Sequence, residues 1–387
     1  MVSSAVPKAT NPFTPTFGHV PFALAGRTEY IDDVIGGLAN RPGDPNRSTV
    51  FIGPRGSGKT VLLTAISRIA SEQGWICVNV SARDGMLEEL LWQTQANAAH
   101  LLAPIPTSDI VAAQAGPIGV TREMRRETYS WRMRMSALIE ELNQQGVGLL
   151  FTVDEVNPNC VEFGDFIDAY QHFMREERDV ALLVAGLPNR VSALLLDESV
   201  SFIRRAFQRP LGPIPQVEVE QALLETIEGN GRTIDDEALA IAAEATQGFA
   251  FAIQLIGYYL WRQSSSSQKL QRSNPQHHET QNQERTGETI TPENALRAID
   301  LAGREMERSV FVPTLRELRP REVQYLRAMA QDDGASTTSD IARRMGISMT
   351  NASNLRRRLL EHGSMSEVRM GLVDFEMPML REYLRTS

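Results

Sequence analysis

The sequence is short of several residues that define whole classes of protein. Two cysteines, Cys77 and Cys160, stand in 387 residues. That is too few for a disulfide framework or a cysteine-rich zinc site. Both fall near predicted strands, so they are expected as buried free thiols. Six histidines are present without ligand spacing, and the His277-His278 pair lies in a polar tract. No stretch approaches eighteen uninterrupted apolar residues, the length a membrane-spanning helix requires. The first residues, Met1-Val-Ser-Ser-Ala-Val-Pro-Lys8, hold no apolar signal core, and a soluble cytoplasmic protein is expected. Excess positive charge is also missing. The net charge is −9, so any nucleic-acid surface must be local. What remains, with 42% hydrophobic residues, is enough for real cores in two or three domains.

Against this background one signature stands out. Gly53-Pro54-Arg55-Gly56-Ser57-Gly58-Lys59-Thr60 fits the phosphate-loop pattern G-x-x-x-x-G-K-[ST]. Its context fits as well. Ser48–Ile52 is a β-branched apolar run that reads as a buried strand, and Val61 opens a good helix. Glycines allow the backbone to wrap tightly with its N–H groups turned inward. The following helix adds partial positive charge at its N-terminus. In such a loop Lys59 bridges the β- and γ-phosphates of a nucleotide, and the Thr60 hydroxyl ligates Mg²⁺.

A second landmark is the apolar run Gly148–Val156, which carries Asp154-Glu155. A strand of this kind lies buried in a parallel sheet and presents both carboxylates at its C-terminal end. Asp154 is expected to hold Mg²⁺ through water, and Glu155 to orient and polarise an attacking water. Further strands are read at Trp75–Ser81 and Asp179–Pro188, with an edge strand at Arg209–Pro215 whose prolines exclude a central place. Helices alternate with them, among them Leu87 to Leu102, Arg122 to Gln145 and a segment carrying Phe163, Phe166, Ile167, Tyr170 and Phe173. This alternation argues for a three-layer α/β sheet. Ser201–Arg209 packs three arginines into six positions. Arg204 or Arg205, ahead of Arg209, could meet a γ-phosphate from the same chain or a neighbour, or could simply line an amphipathic helix.

From Glu218 to about Arg262 the strand signal vanishes and the pattern turns helical, with Gly248 at a break. Ser264 to Thr291 is Ser/Gln/Asn/Glu/His-rich and nearly free of apolar residues, and reads as a disordered insertion. Thr291 is placed as the N-cap of the next helix. The C-terminal segment reads as three helices, Arg319–Ala330, Ser336–Met345 and Met349–Leu360, followed by a hairpin over Ser366–Phe375. That is the pattern of a winged helix-turn-helix. Its third helix would expose Ser348, Thr350, Asn351, Asn354, Arg357 and Arg358, residue types that read base edges and hold phosphates in a major groove. The segment is only mildly basic, however, and docking onto protein is the alternative.

The combination resembles AAA+ ATPases of the origin-recognition type and the related archaeal and STAND-like regulators, over roughly residues 21–387. The resemblance implies an α/β three-layer P-loop NTPase of AAA+ type with a helical lid and a C-terminal winged helix-turn-helix. The implied domains are an arm (1–20), an ATPase domain (21–215), a lid (216–312, with the insertion 264–291) and a winged helix (313–387). It implies ATP and Mg²⁺ as cofactors, with contacts from residues 53–60 and Val61. The Leu24-Ala-Gly26-Arg27 turn resembles the segment that helps hold adenine in this superfamily. No Asn-Lys-x-Asp guanine motif appears. Three departures matter. The fourth strand ends in Ala185-Gly186-Leu187, leaving Asn189 as the nearest polar substitute for a sensor. The last lid helix brings no arginine until Arg262. The adenine turn matches only in its core. A slow switch ATPase is therefore expected, its nucleotide state coupled to double-stranded DNA through the winged helix or, in the rival reading, to a protein partner or a second copy.

Overall fold

The structure, a computed structural model, describes residues 10–16, 19–102, 120–196, 198–272 and 289–387. The chain divides into two compact units. The first comprises residues 29–53 and 59–211, the second residues 1–28, 54–58 and 212–387.

The 29–211 unit is built on α1 (Thr28–Ala39), β1 (Ser48–Ile52), α2 (Lys59–Glu72), β2 (Ile76–Ser81), α3 (Met86–Asn97), α4 (Val120–Gln144), β3 (Leu149–Asp154), α5 (Val161–Arg175), β4 (Val180–Gly186), α6 (Pro188–Leu196) and β5 (Phe207–Pro210). The strands pair in the order β2-β3-β4-β1-β5, all parallel. Parallel strands need crossovers and are covered on both faces. That is why β4 is buried at every position and β3 at all but its last. The proline-bearing β5 lies at the sheet edge, pairing only with β1. An aromatic cluster fills one side of the core, with Phe166 at 5.2 Å from Phe151 and 6.2 Å from Trp131, both edge-on. Both cysteines are buried and free, and burial pushes the Cys77 thiol above its ordinary value.

One buried charge ties this unit together. The Arg47 side chain is 2% exposed. Its guanidinium donates to the carbonyls of Gly37 and Leu38, each at 2.8 Å, to Asn40 O, and to the Asp179 carboxylate. It also lies 5.1 Å from the Trp75 ring. The last carbonyls of α1 have no intrahelical donors, so this arginine closes the helix and joins it to the start of β4.

The second unit begins with residues 10–16. These lack regular structure, but Phe13 is 2% exposed in the core. The expected arm is therefore partly docked. A Cβ on Gly257 would lie 2.3 Å from the Phe13 ring, so only a glycine leaves that slot. Asn11 Nδ2 donates to Tyr258 O at 3.0 Å. Next come α7 (Gln216–Glu228), β6 (Thr233–Ile234), α8 (Asp236–Ala245), α9 (Ala250–Arg272), β7 (Thr289–Ile290) and α10 (Pro292–Met306). Thr291 caps α10 in a reciprocal capping box with Asn294. Two details depart from the sequence reading. β6 and β7 form a short parallel pair, β6 within a stretch read as helical and β7 at the end of the segment read as disordered. And α9 runs on to Arg272, nine residues into the segment read as disordered from Ser264 to Thr291; residues 273–288 of that segment lie outside the described residues.

After α10 come α11 (Val312–Glu317), α12 (Pro320–Met329), β8 (Ser336–Thr337), α13 (Thr338–Met345), α14 (Met349–His362), β9 (Met365–Arg369), β10 (Leu372–Phe375) and α15 (Leu380–Thr386). The last three strands form an antiparallel sheet in the order β8-β10-β9. Gly346, at φ +62°, closes α13, and the Ser348 hydroxyl caps α14. No described helix is long and apolar enough to cross a membrane.

Candidate functional site

The loop from β1 to α2 carries the signature residues. Gly53 N–H donates to Gly186 O at 3.3 Å, anchoring the loop's start on the neighbouring strand. Gly56 and Gly58 have φ of +79° and +89°, a region that side-chain-bearing residues rarely adopt. Pro54–Gly58 group with the second unit. There the Phe249 ring covers Gly56, with a ring carbon 2.4 Å from where a Cβ would stand. Phe251 N–H donates to Gly56 O at 3.2 Å. Arg55 pairs with Glu317 at 2.9 Å, and the other Glu317 oxygen lies 3.4 Å from His362 Nε2. The hydrogen bond from Arg55 holds the Glu317 carboxyl below its ordinary value, with His362 adding to the effect.

On the sheet side, Lys59 Nζ donates to Gly53 O at 2.9 Å. The Thr60 hydroxyl donates to Asp154 Oδ2. The other Asp154 oxygen accepts the Glu155 N–H at 2.8 Å. The sheet is what brings this pair together, since β3 ends at Asp154, in a sheet whose β1 feeds the loop. Glu155 is exposed and has φ +52°, a conformation an ordinary residue adopts at some cost.

These residues suit a Mg²⁺–nucleotide. The buried Ser57 Oγ has no hydrogen-bond partner among the described residues, as expected of a polar atom in a cradle for an absent anion. Thr60 and Asp154 offer one hydroxyl and one carboxylate, a sparse oxygen set of the sort Mg²⁺ takes when phosphates and water complete its shell. Among the described residues no group of three or more His, Cys, Asp or Glu gathers as a metal cage.

A cavity of 380 Å³ opens beside this pair, lined by Thr60, Asp154, Thr64, Ser67, Asn79 and Arg83 among others. Asn79 Oδ1 accepts from Ser67 Oγ at 2.9 Å and Thr152 Oγ1 at 2.6 Å. Arg204 and Arg205 do not line it. Both are exposed, and Arg204 Nε donates to Leu195 O at the end of α6. Arg209 is committed to Asp33 at 2.6 Å and to Asn46 at 3.2 Å. Asn189 stands at the start of α6 with its Oδ1 buried and unpartnered among the described residues.

In the second unit Arg27 is buried and donates to Gly212 O at 2.9 Å. Gly26 has φ +63°, and a Cβ there would meet Ile214 at 2.8 Å. On α14, Asn351, Asn354, Arg357 and Arg358 are exposed on the face the sequence suggested. Their charges are not idle. Arg358 faces the nearly buried Glu322 at 3.8 Å, Arg357 faces Glu361 at 4.0 Å, and the neighbouring Arg356 pairs with Glu367.

Comparison with solved structures settles the fold. The Walker-type ATPase paby2304 of Pyrococcus abyssi superposes with a TM-score of 0.61 over 94% of this chain and 96% of its own, at 16% identity. The ORC2 protein of Aeropyrum pernix, solved as ADPNP–ADP complexes, gives 0.58 over 96% of each chain at 13% identity. The fold is that of an AAA+ P-loop ATPase. Identities this low carry the AAA+ fold and no more. A family model described as a domain of unknown function (DUF8462) matches residues 308–384, the region of α11 to α15. No curated protein matches the chain in sequence.

Proposed function

We propose that the protein is an ATP-binding switch that hydrolyses ATP slowly and passes its nucleotide state to the C-terminal helices. The observation that carries this reading is the hydrogen bond between Thr60 and Asp154. Two residues far apart in sequence meet at the mouth of a glycine-rich loop, in the pairing that holds Mg²⁺ in P-loop enzymes. Bound ATP·Mg²⁺ would supply the phosphoanhydride to be cleaved.

Within the chain the roles divide as follows. The loop N–H groups and the start of α2 hold phosphate oxygens. Lys59 leaves the Gly53 carbonyl to lie against the β- and γ-phosphates. Thr60 and Asp154 would hold the metal, and Glu155 would accept a hydrogen bond from the attacking water and align it. Gly26 and Arg27 border the adenine. Arg204 and Arg205, exposed on the same unit as Asp154, would serve a neighbouring copy as arginine fingers, Arg204 by giving up its bond to the Leu195 carbonyl.

The output has two readings. α13, α14 and the β9–β10 hairpin make a winged helix-turn-helix, and such units lay the third helix in the major groove of DNA. Asn351, Asn354, Arg357 and Arg358 would then make the contacts. The intramolecular acids facing Arg356, Arg357 and Arg358 favour the second reading, docking on protein, because a phosphate would have to displace them.

Full-length protein tests both parts. Lys59→Ala should abolish ATP binding, while Glu155→Gln should keep binding and remove turnover. Normal turnover in Glu155→Gln would overturn the catalytic assignment. For the output, a DNA mobility shift that weakens steeply with salt and is lost in Arg357→Ala supports DNA contact. No shift at low salt, with or without ATP, rejects it. Arg357 is the cleaner probe, since Arg358→Ala would also strand Glu322.

A further inference from the structure

We infer that Arg83 is a catalytic residue of this site, an arginine of the same chain that touches the γ-phosphate. The inference rests on the nucleotide reading above and adds a residue that the signature motifs do not name. Its basis is placement. β2 and β3 run parallel with Ser81 in register with Asp154, and Ala82 N–H donates to Asp154 O at 3.2 Å. The chain therefore leaves β2 alongside the metal-binding carboxylate, and Arg83 follows at once. Arg83 lines the same 380 Å³ cavity as Thr60 and Asp154.

The loop that carries Arg83 is held firmly. Gly85 N–H and Leu87 N–H donate to the two oxygens of Glu162 on α5, at 2.8 and 3.0 Å. Met86 N–H donates to Arg83 O at 3.1 Å. The guanidinium itself is held lightly, facing Glu89 at 3.2 Å with the arginine 69% exposed. Glu89 also accepts from Gln93 Nε2 at 3.2 Å, so it keeps a partner when Arg83 departs. Exposed ion pairs of this kind contribute little, and a phosphate oxygen with its fuller charge outcompetes a surface carboxylate. A fixed backbone carrying a releasable cation is the arrangement that stabilises charge as it develops, with little reorganisation.

The other arginines are less suited. Arg209 is locked by Asp33 and Asn46, Arg55 faces Glu317, and Arg204 is turned to the Leu195 carbonyl. In phosphoryl transfer the transferred group spreads charge over three oxygens. Lys59 and the Thr60–Asp154 pair would serve two sides of it, and a cation carried just beyond Ser81, on the same cavity, would serve a third.

The test compares nucleotides that differ only in the γ-phosphate, on the full chain. Arg83→Ala should lower affinity for the non-hydrolysable triphosphate ADPNP by roughly tenfold to a hundredfold, the worth of one charge-assisted hydrogen bond, and leave ADP affinity within about twofold. The turnover number should fall with it, and Arg83→Lys should recover part of both. Glu89→Gln, which weakens the competing pair, should hold or raise ADPNP affinity. Equal loss for ADP and ADPNP, or no loss for either, overturns the role of Arg83. If the wild-type chain binds neither nucleotide, the ATP reading itself fails. Binding that Lys59→Ala abolishes but Arg83→Ala leaves intact rejects Arg83 alone.

Discussion

Replacing Arg47 by methionine tests how much one buried guanidinium contributes to the sheet unit. The substitution keeps the apolar stem and removes every donor. Four acceptors then lose their partner: the carbonyls of Gly37, Leu38 and Asn40, and the Asp179 carboxylate. Removing one member of a buried ion pair costs about 3–5 kcal/mol. Asp179 is 34% exposed, so water recovers part of its solvation and the lower end, about 3 kcal/mol, is expected. Because the chain has two units, a single unfolding free energy is poorly defined. Amide hydrogen exchange resolves the effect by region. Slow amides of β1, β3 and β4 should lose protection by roughly a hundredfold, the equivalent of that free energy, while those of α8 and α10 stay unchanged. Adding Asp179→Asn to Arg47→Met should restore part of the loss, because the stranded charge is gone. A change below about 1 kcal/mol, or full protection in Arg47→Lys, would refute the reasoning, since lysine cannot span the same fan of acceptors.

Two further outcomes follow from charges in the second unit. Asp332 accepts from Arg344 and from Ser336 Oγ. These bonds, that from Arg344 foremost, hold its pKa down to about 2. A depressed carboxylate stabilises the fold above its unfolded pKa near 4 and loses that stabilisation as pH falls toward 2. The carboxylate is 27% exposed, so the worth is on the order of 1–2 kcal/mol. The melting temperature of the wild type should therefore fall between pH 4 and pH 2 by more than that of Asp332→Asn. Glu317→Gln should raise ATP affinity measurably by calorimetry, because it frees Arg55 in the phosphate loop from its carboxylate partner. An unchanged or weaker affinity would show that Arg55 takes no part in binding.

The site was legible in sequence where its chemistry is local. Gly53–Thr60 and Asp154-Glu155 each carry their meaning in a few adjacent residues, and alternating apolar strands and helices gave the sheet. Arg83 was missed because its role depends on the register of β2 against β3, which no local pattern encodes. The acids facing Arg356 and Arg358 were not legible because Glu367 and Glu322 lie on β9 and α12. α9 was cut short in the reading because its end is a run of serines and glutamines, poor in the apolar spacing that marks a buried helix face. Phe13 looked like part of an extended arm. Its burial depends on Gly257, a residue whose only signal is the side chain it does not have.

The contact between Gly56 and Phe249 bears on how this chain can vary. The phosphate-loop signature leaves position 56 open to any residue. Here Phe249 occupies the space where a Cβ would stand, and the backbone there has a positive φ. A wildcard of the motif has become an obligatory glycine, held so by an aromatic ring from α9's approach rather than by phosphate. Substitutions at 56 and 249 are thereby coupled. A change at Gly56 demands a smaller residue at 249, and the signature alone understates how narrowly this loop is specified.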